Sequence, residues 1–243
     1  MSFKISFQIN DLLSELDKEG EIPISKMTSQ FEDKLQKVTE DETPDTFTLK
    51  ETTYGEESVS VLYKQGNQSM YISIFGPKEM RIREKANGEY SKIELYMKFS
   101  IELPQELQES INKKIKKFAK DMILRTSYPR CQITININIF NISFIIDEYS
   151  IIPKVCNGLM MALSLSGINL RMLCLSKGYL KNQERCMVFL EMKDSDENNI
   201  YNFDSEEPLE IEKYKEILKT AKNSLQIMNK KLKNLIYTKF IKQ

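Results

Sequence analysis

The sequence predicts an α+β fold, a mixed sheet packed with helices and closed by a long C-terminal helix. Two periodicities and their order along the chain predict it. In the stretch Gln132–Ile139 isoleucine holds every second position, Ile133, Ile135, Ile137 and Ile139, while Gln132, Thr134, Asn136 and Asn138 are polar. That alternation is a strand with one dry face, and burying each isoleucine is worth roughly 1.5–3 kcal/mol. Leu107, Ile111, Ile115, Phe118 and Met122 recur instead at helical spacing. The order is several strands, a helix, a strand, a buried helix, more strands and a final helix, which licenses the α+β class.

Residues 1–45 read as an extension and linker, with the domain proper over 46–243. Phe3, Ile5, Phe7 and Ile9 alternate like a short strand, but "KLQKVTEDETPDTF" carries few apolar anchors. From Thr46 to Glu84 the runs "TFTLKETTY", "SVSVLYK" and "SMYISIF" read as strands, separated by Gly55, Gly66-Asn67 and Gly76-Pro77. "EMRIREK" continues the alternation, with Arg81, Arg83 and Lys85 on one side, and "SKIELYMKFSI" is a further strand. Pro104 opens the first helix, as proline does at a first turn. Its apolar stripe leaves Lys113, Lys114, Lys116, Lys117 and Lys120 on the other faces.

Pro129 cannot donate to a ladder, so it marks where the isoleucine strand begins; "FNISFIID" reads as that strand's continuation. Arg125 and Arg130 flank the Tyr-Pro step and are expected to form structural ion pairs. Pro153 is expected to start a second helix, apolar or small on nearly all sides and therefore placed between layers. "NLRMLCLSKGYL" and "RCMVFLEM" are two strands joined by a turn near Lys181-Asn182. An acidic loop, Asp194 to Glu207, then leads into the last helix. There Ile211, Tyr214, Leu218, Ala221, Leu225, Met228, Leu232 and Leu235 form the stripe, with glutamates at the start and lysines at the end.

Composition narrows the chemistry. Lysine plus arginine and aspartate plus glutamate number 35 each, so no global field steers the chain toward polyanions, and any such binding needs a local patch. Histidine is absent, which excludes Ser-His-Asp and Cys-His chemistry and His-containing zinc sites. Neither common glycine-rich nucleotide cradle is present. Cys131, Cys156, Cys174 and Cys186 lie far apart, which reads as free thiols in a reducing compartment. The charge-free stretch "VCNGLMMALSLSGINL" falls short of a bilayer span, and "MSFKISFQIN" has no basic region followed by an apolar run, so neither membrane insertion nor a signal peptide is expected.

Three stretches carry a family resemblance. "GNQSMYISIFGPKEMRIRE", Gly66 to Glu84, resembles the RNase PH family, in which Gly-Asn-Thr, a strand and Gly-Pro stand at this spacing before an alternating basic strand. "SYPRCQITI" is similar to the stretch by which eukaryotic RNA-exosome ring subunits of this family enter a central strand. "NGLMMALSLSGINL" is similar to the family's buried helix of small residues ending in Ala-Gly-Ile-Pro-Met, here Ser166-Gly167-Ile168-Asn169-Leu170. The resemblance runs from about Leu49 to Gln243. It implies an RNase PH-like (ribosomal protein S5 domain 2-like) fold. It also implies a place in a hexameric ring of paralogous RNase PH-fold subunits, with S1/KH cap subunits, a hydrolytic exoribonuclease subunit and RNA as further partners. The implied location is nucleus, nucleolus and cytoplasm, with no cofactor, no metal and no membrane.

The same resemblance bears on activity. Catalytic members cleave RNA from its 3′ end by phosphorolysis, holding inorganic phosphate on an Asp-Gly-Gly-Thr-Arg-like turn before the buried helix. A planar, bidentate guanidinium suits that task. Counting back from Gly167, those positions fall on Glu148, Tyr149, Ser150, Ile151 and Ile152. The glycines are missing, isoleucine stands where the arginine belongs, and Glu148 repels phosphate. The family's second, acidic loop corresponds to "EMKDSDENNIYNFDSEE", which holds Asp194 and Asp196 but has no glycine and no matching spacing. The expectation is therefore the scaffold without the activity: no catalytic residue, and a degenerate phosphate site. The rival is a phosphate-dependent 3′–5′ exoribonuclease with a diverged site, and a third reading is a free-standing RNA-binding protein. Arg81, Arg83 and Lys85 are either a solvated face or a channel-facing strip touching RNA phosphates.

Overall fold

The computed structural model describes residues 47–52, 58–65, 68–80, 89–140, 147–181, 184–193 and 199–241, all within one compact unit, Pro44–Gln243. The extension read over 1–45 lies outside the described residues. Strands β1 (Phe47–Thr52), β2 (Ser58–Gln65), β3 (Gln68–Glu79), β4 (Lys92–Phe99) and β5 (Cys131–Phe140) form a sheet in the order β1-β2-β3-β5-β4. Within it only the β4–β5 pair is parallel, which is allowed because helix α1 (Gln105–Met122) makes the crossover. The alternation in β5 reports its burial directly: Ile133, Ile135, Ile137 and Ile139 are at most 1% exposed. Ile135 pairs with Ile74 on one side and Leu95 on the other, and Ile137 with Ile72 and Met97, so the dry face continues across three strands.

Helix α2 (Glu148–Leu165) lies between this sheet and a second one, β6 (Cys174–Lys181), β7 (Glu184–Glu191) and β8 (Asn199–Ser205), antiparallel in chain order. Helix α3 (Ile211–Ile241) covers the far face of that sheet, where Ala221, Leu225, Met228 and Leu232 are buried and Lys177 donates to Ser224 Oγ at 2.6 Å. Asn157, in the middle of α2, fastens the middle layer to β6. Its Nδ2 donates to the Ser176 carbonyl at 2.8 Å, and its Oδ1 accepts from Ser176 N at 2.8 Å. No described helix is long and apolar enough to cross a membrane, and the four thiols are free.

Three expectations change. Gly76-Pro77 does not end β3: the strand runs through it with a cis peptide and a register shift between Phe75 and Lys78. Gly76 sits at φ +103°, where a Cβ would lie 2.6 Å from the Gln132 carbonyl oxygen, so only glycine lets the bulged strand stay against β5. Helix α2 starts five residues before Pro153, because Asp147 caps it. Part of the expected acidic loop is strand β8, whose Tyr201 and Phe203 are half-buried on one side while Asn202 is exposed; the carboxylates around it mask that alternation. Residues 141–146, expected to continue β5, lie outside the described residues.

The Tyr-Pro-Arg before β5 is a clamp and a turn. The Tyr128 hydroxyl accepts from Asn169 N at 2.9 Å, tying the strand entry to the segment after α2. Arg130 takes a positive φ of 58°, and its carbonyl accepts from Met80 N at 3.0 Å. Its side chain is exposed and makes no ion pair among the described residues, contrary to the structural role expected of it. Arg125 is used structurally, but through the Ser91 carbonyl at 3.0 Å and the Tyr90 ring at 5.3 Å rather than an ion pair.

Candidate functional site

The five positions matched to the phosphate-binding turn form the first turn of α2 instead. Without glycines, and with Asp147 in extended conformation (φ −122°, ψ 133°) ahead of it, the segment winds into helix at once. Asp147 Oδ1 accepts from Tyr149 N at 3.1 Å, and its carbonyl accepts from Ser150 N and Ile151 N at 3.1 and 3.0 Å. A helix N-terminus binds anions through its free N–H groups; here Asp147 already occupies two of them, those of Tyr149 and Ser150.

The side chains reinforce this. Ile151 and Ile152 are 2% and 1% exposed and belong to the core. At Ile152, the position the resemblance matches to an arginine, the apolar side chain faces inward. Glu148, Tyr149 and Ser150 are half-exposed. Glu148 accepts from Ser110 Oγ at 2.9 Å and from Lys114 Nζ at 2.7 Å, both on α1, and Lys114 also reaches Asp204 on β8 at 3.1 Å. The Lys114 ammonium stands 5.7 Å from the centre of the Tyr149 ring. On the other flank Arg185 of β7 lies between Asp147 at 3.7 Å and Glu206 at 3.6 Å.

Four carboxylates, Asp147, Glu148, Asp204 and Glu206, thus meet two cations, Lys114 and Arg185, for a net charge of −2. Burial pushes the Asp147 carboxyl above its usual range, against the opposing pull of the Tyr149 N–H and of Arg185. Burial works against the charge on Lys114, but the hydrogen bonds to Glu148 and Asp204 outweigh it and hold its pKa above normal. Tyr149 is raised too, by burial and then by Asp204. The arrangement pairs its own charges and presents carboxylate to an incoming anion.

Strand β8 is fixed in place by Tyr201, whose hydroxyl donates to Asp121 on α1 at 2.7 Å and whose ring meets Phe118 edge-on at 6.5 Å. The sequence alone does not single out Lys114, Asp204, Arg185 and Glu206 as site residues. Lys114 sits inside a lysine run, and the other three have no local spacing; only the fold-level pairing of α1, α2 and β8 joins them. Arg81, Arg83, Lys85, Asp194 and Asp196 lie outside the described residues. Among the described residues no group of three or more acidic or cysteine side chains is arranged to hold a metal ion.

Comparison with known proteins accords with this architecture. The 3′ exoribonuclease family, domain 1 (RNase PH), matches residues 47–169, just over half of the chain. No curated protein matches in sequence. Among solved structures, the crystal structure of Rrp46 from rice (Oryza sativa) is similar at a TM-score of 0.62 and 16% identity, over 80% of this chain and 99% of that one. An archaeal exosome core is similar at a TM-score of 0.53 and 12% identity, over 82% and 94% of the respective chains. The Archaeoglobus fulgidus exosome with RNA bound to its active site is similar at a TM-score of 0.52 and 12% identity, over 81% and 95%. With its mixed sheet, buried α2 and domain-1 match, the chain belongs to the 3′ exoribonuclease (RNase PH) family.

Proposed function

We propose that this chain is a non-catalytic structural subunit of an RNA exosome ring, supporting 3′–5′ RNA processing and degradation by guiding RNA through a central channel. Family membership supports the fold and the RNA context. The observation that carries the loss of phosphorolysis is the first turn of α2, where Asp147 occupies two N–H groups, Ile152 is buried and the surrounding charge is net negative. Its partners on this reading are paralogous RNase PH-fold subunits in a hexameric ring, S1/KH cap subunits, a hydrolytic exoribonuclease subunit and RNA. Among ring subunits it takes the place of the ribosomal RNA-processing protein forty-six type, in line with the likeness to rice Rrp46. Its proposed location is the nucleus, including the nucleolus, and the cytoplasm.

Mass spectrometry of the native complex tests the assembly. RNase PH-fold paralogues are expected at equal stoichiometry; a monomer that never co-purifies with them would refute the ring function and favour a free-standing protein.

A further inference from the structure

The exposed side of α1 changes sign along its length. Gln105, Glu106 and Glu109 lie outward in its first half, and Lys113, Lys116, Lys117 and Lys120 in its second. No carboxylate interrupts the run from Lys113 to Lys120, and none of these four lysines forms a close ion pair among the described residues, Lys116 acting on Glu94 of β4 only at longer range. Lys114, the fifth, is turned to Glu148 and Asp204. Arg171, also exposed and without an ion pair among the described residues, stands beside the end of the helix, its backbone N–H donating to the Met122 carbonyl at 2.7 Å.

The helix gains little from this charge. Like charges three or four residues apart destabilise a helix, and Lys113–Lys116, Lys113–Lys117, Lys116–Lys120 and Lys117–Lys120 are all such pairs. The macrodipole favours cations only within the last turn, where Lys120 alone stands. On α3, by contrast, the lysines are interspersed with carboxylates, Glu212 and Glu216 standing among Lys213, Lys215 and Lys219. Glu109–Lys113 and Lys117–Asp121, each four apart, offset this cost only in part, so a local surplus of positive charge stands on this face, as on a surface kept for a ligand.

We propose that the outward lysine face of α1, with Arg171, binds the phosphate backbone of RNA without reading its sequence. This rests on the RNA-handling function above and deepens it by naming the surface that RNA touches. Lys113 to Lys120 spans about 10 Å, over which a nucleic-acid strand presents several phosphates, and an ammonium serves each as a mobile point charge. α1 contributes no exposed large apolar side chain, whereas a protein interface needs an apolar core, so an acidic protein partner fits this face less well.

Fluorescence anisotropy of a labelled oligouridine with the full chain, across a potassium chloride series, tests it. The variant Lys113→Ala/Lys116→Ala/Lys117→Ala/Lys120→Ala keeps helix propensity. Lys215→Ala/Lys219→Ala/Lys222→Ala/Lys230→Ala on α3 makes the same change in net charge. The α1 variant is expected to bind about tenfold or more weakly, with a salt slope shallower by about 0.7 for each phosphate it no longer neutralises, while the α3 variant binds as the parent does. No binding by the parent, equal effects of both variants, or no effect of the α1 variant would overturn the proposal. Ring assembly is scored separately on the same variants. An α1 variant that assembles and binds like the parent sinks this inference alone, whereas failure of the parent chain to assemble sinks the ring function.

Discussion

Asn157 shows how one polar residue can organise an apolar layer. It is fully buried, and both ends of its amide are satisfied by the Ser176 backbone on β6, with Gln65 of β2 at 3.5 Å on the other side. Truncation would strand a buried N–H and a buried carbonyl, each costing about 1–3 kcal/mol. Asn157→Ala should therefore lower stability by about 2–4 kcal/mol, read as a drop in urea midpoint at unchanged slope. Gly178 is constrained by a different neighbour. Pro153 has no N–H, so the Tyr149 carbonyl one turn earlier has no helical partner, and a Cβ on Gly178 would collide with that oxygen. Because the obstacle is backbone, Gly178→Ala is expected to cost about 1–3 kcal/mol, measurable by thermal unfolding.

At the scale of elements, the junction of α1, α2 and β8 rests on Lys114. Its pKa is raised in the folded chain, so its contribution is whole below the unfolded value of about 10.4 and is lost as pH rises through the higher folded value. Side chains in this junction are partly exposed, which limits the gain to about 1 kcal/mol. Lys114→Met should lose about that much between roughly pH 6 and 9, and the gap to the parent should close in stronger alkali and shrink in high salt. A gap that widened with pH would contradict the pairing. How far such elements are legible in the sequence depends on whether their signal is local. The β5 isoleucines and the α1 stripe are periodic, and the structure places both where that periodicity puts them. The start of α2 is harder to see because the capping power of Asp147 competes with the stronger cue of Pro153, and β8 because its carboxylates resemble a solvated loop. Reading Glu148 to Ile152 as a degenerate phosphate site rests only on the family resemblance. That Glu148 is bound by Lys114, 34 residues away, has no sequence signature.

For the whole molecule, zero net charge conceals two opposite surfaces: a self-paired acidic junction at the start of α2 and an unpaired lysine row on α1. On the function proposed above, RNA would lie on the second, and the first would turn inorganic phosphate away. The most direct test is phosphate-dependent release of nucleoside diphosphates from a labelled RNA by the purified chain, alone and with the paralogues proposed to form its ring. No release that depends on this chain is predicted at any phosphate concentration; diphosphate release by the chain alone, rising with phosphate, would contradict it.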